Sequence, residues 1–61
     1  MASYKIQARE TDGLWVTVDI LSCAVEAWDA LHRYLMDRPS FVAFRLTYGG
    51  RLLYMEGNAN D

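Results

Sequence analysis

The sequence is short of most features that betray a function. It has one cysteine, one proline and one histidine among 61 residues, and its net charge is only −2. A lone Cys23 cannot close an internal disulfide, so a reducing compartment is expected. No run of about 18 apolar residues exists to span a membrane, and no charged-then-apolar leader opens the chain. It therefore reads as a complete cytoplasmic protein without a membrane partner. The mild acidity, with a pI near 5.1, gives no support to non-specific coating of nucleic acid. Paired carboxylates, a glycine-rich phosphate loop and a Cys/His cluster are all missing, so neither a catalytic nor a metal site is expected, and no cofactor. His32 lacks a partner at useful spacing and reads as a half-buried packing residue. Cys23 lies at the start of the helix with no base at hand, and reads as a small helix-start residue and not as a nucleophile.

What the chain does have is apolar content, at 52%, ample for a core and against disorder. Sixty-one residues make a single domain of 1–61, with 57–61 as a frayed polar tail. At this size about 60% of the unfolded surface is buried, so stability is marginal and a homodimer is conceivable.

The one long helical pattern is Ser22 to Asp37. Ala24, Trp28, Leu31 and Leu35 fall on one line, flanked by Ala27 and Tyr34 on one side and Val25, His32 and Met36 on the other. Glu26, Asp29, Arg33 and Asp37 lie opposite. Ser22 suits the N-cap, although Glu26 comes one residue late for a capping box. Pro39 predicts a stop near Asp37.

The flanks alternate as strands. Tyr4 to Glu10 and Leu14 to Leu21 are joined by Thr11-Asp12-Gly13. A three-residue loop with Gly13 left-handed pairs Ile6 with Val18, Ala8 with Val16, Lys5 with Asp19 and Arg9 with Trp15, which keeps apolar residues on one face. Phe41 to Tyr48 and Arg51 to Glu56 flank Gly49-Gly50, a two-residue hairpin signal. That loop pairs Leu46 with Leu53 and Phe44 with Met55, so that Val42, Phe44, Leu46, Leu53 and Met55 face the helix. The expected fold is α+β, of order ββαββ: a four-stranded antiparallel sheet with one helix packed on one face. Strand orders 2-1-3-4 and 1-2-4-3 both satisfy the pattern.

The informative surface is the sheet face that one helix leaves open. These registers place there Lys5, Gln7, Arg9, Trp15, Thr17, Asp19, Arg45, Thr47, Leu52, Tyr54 and Glu56. One reading is cross-strand pairing, Arg9 on Trp15 and Arg45 on Tyr54, each worth under about 1 kcal/mol. The other is a binding face, with Lys5, Arg9, Trp15, Arg45, Leu52 and Tyr54 as contact residues, since exposed aromatics beside arginines make interface hot spots. Such a face suits docking on another protein, stacking of single-stranded nucleic acid on Trp15 and Tyr54 with the cations on phosphates, or self-association. An acidic helix face of Glu26, Asp29 and Asp37 offers an alternative surface for a basic groove on a partner protein.

The order of elements carries one resemblance. A short hairpin, a helix opening S-x-x-x-E-A (Ser22, Glu26, Ala27), a strand with Phe44-Arg45 and a Gly49-Gly50 hairpin resemble small phage and mobile-element proteins. Some anti-CRISPR proteins that block multi-subunit surveillance complexes are similar in size and order of elements. The resemblance implies a stand-alone, non-enzymatic inhibitor that binds a bacterial defence or nucleic-acid-processing complex and needs no cofactor. Inhibitors that occupy nucleic-acid sites are often more acidic than this chain.

Overall fold

A computed structural model describes residues 2–10, 13–37 and 43–57. Five elements follow in order: β1 (Tyr4–Arg9), β2 (Trp15–Leu21), α1 (Ala24–Asp37), β3 (Ala43–Tyr48) and β4 (Arg51–Gly57). The strands form one sheet of order β2-β1-β3-β4, and every neighbouring pair is antiparallel. This is the expected ββαββ arrangement, in the first of the two strand orders. Phe41 and Val42, the Pro39 stop and the last four residues of the expected tail lie outside the described residues; Gly57 belongs to β4.

Both hairpin turns follow their glycines. Gly13 takes φ 85° and donates to the Glu10 carbonyl at 3.0 Å, and Arg9 pairs with Trp15 across the loop as expected. Gly49 and Gly50 have φ 58° and 83°, the two left-handed residues of a tight hairpin turn. Beyond each turn, however, the ladder slips by one residue. In β2 the pairing passes from Gln7↔Thr17 to Ile6↔Asp19, leaving Val18 as a bulge. In β4 it passes from Thr47↔Leu52 to Leu46↔Tyr54, leaving Leu53 as a bulge. The expected pairs Ile6–Val18, Lys5–Asp19, Leu46–Leu53 and Phe44–Met55 are therefore corrected. Because side chains alternate, one inserted residue exchanges the faces of everything beyond it.

The core is correspondingly narrow. Ile6, Ala8, Ala27, Leu31, Phe44 and Leu46 form it, with Tyr4, Val18, Leu21, Ala30, Tyr34 and Leu35 packed around. It sits under the two central strands. The edges contribute little: Leu14, Val16 and Ile20 on the β2 side and Leu53 and Met55 on β4 are exposed, against expectation. Regular alternation had assigned all five to the buried face.

The helix begins one residue later than expected. Cys23, not Ser22, accepts the first intrahelical bond, from the Ala27 amide at 2.9 Å, since β2 runs on to Leu21 and the chain must first turn. That shift makes Glu26 the third helical residue, where an acid meets the positive end of the dipole. The buried line runs through Ala27 and Leu31, rotated towards Ala30 and Tyr34. Trp28 and Met36, on the other side of the stripe, stay exposed. The reason is lateral placement. Helix α1 packs over β1, β2 and β3, and only its side chains, Trp28 among them, extend towards β4.

Candidate functional site: the open sheet face

The slips of register decide what the open face carries. Residues directly opposed in an antiparallel pair share a face. Lys5 is therefore joined by Ile20, Gln7 by Thr17 and Arg45, Thr47 by Leu52, and Arg45 by Met55. Asp19 and Glu56, expected here, are opposed instead to the core residues Ile6 and Phe44. Tyr54 is opposed to Leu46 and leaves the face with Glu56. The open-face positions of the strands thus hold Lys5, Arg9 and Arg45 and no carboxylate. The acids Asp19, Glu26, Asp29, Asp37 and Glu56 lie on the helix side. Among the described residues the open strand face is basic, while the helix side carries these acids together with Arg33 and Arg51.

Trp15 opens the edge strand β2, and its ring reaches across the face to Arg45 of β3. The Arg45 guanidinium carbon sits 4.2 Å from its ring centroid and that of Arg9 sits 5.7 Å away. A guanidinium over an indole is worth about 0.5–2 kcal/mol, depending on desolvation. Arg45 Nε also donates to Gln7 Oε1 at 2.7 Å, and Gln7 Nε2 donates to Thr17 Oγ1 at 3.1 Å. One connected set therefore runs Thr17, Gln7, Arg45, Trp15, Arg9 across β2, β1 and β3. Beneath it Ala43, an open-face position, is 1% exposed. The cross-strand stack of Arg9 on Trp15 is present as expected. Arg45 does not stack on Tyr54; it shares Trp15. A recess of about 290 Å³ adjoins this set, lined by Lys5, Gln7, Arg45, Thr47, Gly50 and Leu52.

Of the six expected contact residues, five are on one face: Lys5 and Leu52 exposed, Arg9, Trp15 and Arg45 half-buried. Tyr54 lies on the other side, edge-on to Trp28 at 5.7 Å between centroids, with its hydroxyl donating to Glu56 Oε1. That bond raises its pKa, with burial and the Glu56 charge adding to the effect. The two-ring platform of Trp15 and Tyr54 is thereby divided between opposite faces. Gln7 and Thr17 were placed on the face, but their role as the tie that holds Arg45 is visible only in three dimensions.

On the helix side, Glu26, Asp29 and Asp37 are all exposed, and Asp29 pairs with Arg33 at 3.2 Å. Asp37 and Arg33 meet Asp19, Ala30 and Tyr34 around a shallow recess of about 310 Å³. The Tyr34 hydroxyl contacts the Val18 carbonyl at 3.4 Å and Asp19 Oδ2 at 3.3 Å. Its pKa is raised by burial first, then by the Asp19 charge and by the hydrogen bond to Asp19. His32 is exposed, not half-buried, because it overhangs the uncovered strand β4. Among the described residues no group of three His, Cys, Asp or Glu side chains is placed to hold a metal ion. No helix there is long and apolar enough to cross a membrane. No family model, no curated protein and no solved structure matches the chain.

Proposed function

We propose that this chain is a non-enzymatic binding protein that docks its open sheet face on an acidic surface of another protein. The observation that carries the proposal is that, among the described residues, the open-face strand positions hold Lys5, Arg9 and Arg45 around Trp15 and no carboxylate. Trp and Arg are the residues on which interface energy concentrates. Here Arg45 is already held by Gln7 and Trp15, so docking costs little further side-chain entropy. The acidic helix side points away from the contact and opposes docking in the wrong orientation. The resemblance in order of elements extends the proposal to a phage-type inhibitor acting in the bacterial cytoplasm on a defence or nucleic-acid-processing complex, without a cofactor. Single-stranded nucleic acid fits less well, since Tyr54 is on the far side and Arg45 covers the Trp15 ring.

The test is capture of partners from bacterial lysate by the tagged chain, with and without nuclease. A protein partner should survive nuclease and be lost with Lys5→Glu, a reversal at an exposed position, and with Trp15→Ala. Neutralising Glu26, Asp29 and Asp37 together should leave capture intact. If folded Lys5→Glu and Trp15→Ala variants still capture the partner, the open face is not the docking surface. Loss only on neutralising the three acids would assign docking to the helix. Recovery that disappears with nuclease would replace the protein partner by nucleic acid.

A further inference from the structure

The second unassigned surface is the edge of β4 with the step beside it. From Arg51 to Gly57 every residue is exposed. Because α1 stops short of β4, a groove of about 320 Å³ runs between them, lined by Trp28, Leu31, His32, Leu35, Tyr54 and Glu56. Trp28, Leu52, Leu53, Tyr54 and Met55 are 43%, 54%, 41%, 37% and 41% exposed, and Met36 at the groove's end is 76% exposed. At about 200 Å² per large side chain, these six leave about 600 Å² of surface uncovered, divided between the helix side (Trp28, Met36 and Tyr54) and the open face (Leu52 and Met55). That is about three quarters of the roughly 800 Å² per partner of a stable interface.

The two sheet edges differ. On β2 the backbone is occupied from within: Asp19 Oδ1 accepts from the Ile20 amide at 2.9 Å, and the Tyr34 hydroxyl reaches the Val18 carbonyl. Among the described residues no side chain hydrogen-bonds the backbone of Leu52 to Met55 and no proline or lysine interrupts the strand, whose one irregularity is the bulge at Leu53. The β4 edge is open to another strand.

We infer that this strand is β4 of a second copy, paired antiparallel about a two-fold axis to make an eight-stranded sheet. Three features select the occupant. First, charge is self-complementary: Arg51 opens the strand and Glu56 closes it. Antiparallel pairing brings each Arg51 to the partner's Glu56 end, whereas parallel pairing would set like charges side by side. Second, an axis normal to the sheet keeps both helices on one side. Each helix lies about two strand widths from the axis, so the helix axes stand about 20 Å apart. With helices about 10–12 Å across, the two grooves merge into one slot a side-chain layer wide, filled by Trp28 and Tyr54 of both copies. Third, the exposed apolar side chains flank the β4 edge on both faces of the sheet, where edge pairing sets the partner's equivalents alongside them. The basic faces of the two copies would form one continuous sheet surface, on which the docking proposed above does not depend.

The test is molar mass by light scattering over a concentration series, combined with cysteine cross-linking. The wild type should reach twice the 7.0 kDa of one chain. Leu53→Lys, which sets two like charges near the axis, should weaken association by about 100-fold, with circular dichroism confirming that the variant is folded. In a Cys23→Ser background, a cysteine at Leu53 or Tyr54 should cross-link between copies, since strand pairing brings equivalent Cα atoms within about 5.5 Å. A cysteine at Val16 on β2 should not. A chain that stays at 7.0 kDa at every concentration, or that cross-links through position 16 in preference to 53 and 54, overturns the inference.

Discussion

Deleting Val18 isolates the feature on which the composition of the open face depends. Val18 is unpaired in the β1–β2 ladder, standing between Gln7↔Thr17 and Ile6↔Asp19. Removing it joins Thr17 directly to Asp19 and leaves every remaining pair in place. The cost is what Val18 itself contributes. Its half-buried side chain is worth about 1 kcal/mol, and its carbonyl's contact with Tyr34, long at 3.4 Å, about 0.5–1 kcal/mol. A loss of about 2 kcal/mol compares with about 3–9 kcal/mol for a domain of this length. The variant should fold, with its midpoint lowered by about 8–16 °C. Urea and thermal unfolding followed by tryptophan fluorescence and circular dichroism give the number. The matched control is deletion of Gln7 from β1, a strand paired to β3 without any shift. That deletion turns half of a central strand inside out and should abolish folding. If deletion of Val18 is as damaging as deletion of Gln7, the bulge is not a dispensable insertion, and the argument that it sets the faces fails.

Two further outcomes follow from the core and its margin. Leu31 is 2% exposed at the centre of the cluster, so Leu31→Ala should cost about 2–4 kcal/mol by chemical denaturation, while Leu31→Met should cost under about 1.5 kcal/mol. Tyr34→Phe should cost about 0.5–1.5 kcal/mol at neutral pH through its hydroxyl contacts. The sign of its pH dependence is set by the raised pKa, caused by burial first and then by Asp19. The folded state favours the neutral phenol, so its contribution is complete below the unfolded value of about 10 and is lost as pH rises through the folded value. Stability measured from pH 8 to 11 should therefore fall less steeply for Tyr34→Phe than for the wild type. An unchanged alkaline slope would show that Tyr34 does not carry this linkage.

What the sequence determined by itself was local. Glycines at 13, 49 and 50 specified two hairpin turns because only left-handed backbone closes them, and the 3.6-residue spacing of Ala24, Trp28, Leu31 and Leu35 specified the helix, whose buried line in the structure is rotated to Ala27 and Leu31. Those signals sufficed for ββαββ and for the inward facing of Ile6, Ala8, Phe44 and Leu46. They also put Lys5, Arg9, Trp15, Arg45 and Leu52 on one open face. Three things were decided only by tertiary structure. The strand order depended on where a single helix could cover the most apolar surface, which no local pattern encodes. The bulges at Val18 and Leu53 were invisible because the W-x-T-x-D alternation of β2 is as regular as a strand that pairs without a slip. What resolved the competition was packing under α1, which placed Asp19 beside Tyr34 and Tyr54 beside Trp28. The bareness of β4 came from the width of one helix over four strands. A 14-residue helix covers the sheet's centre and one side, and the apolar strand beyond it stays exposed.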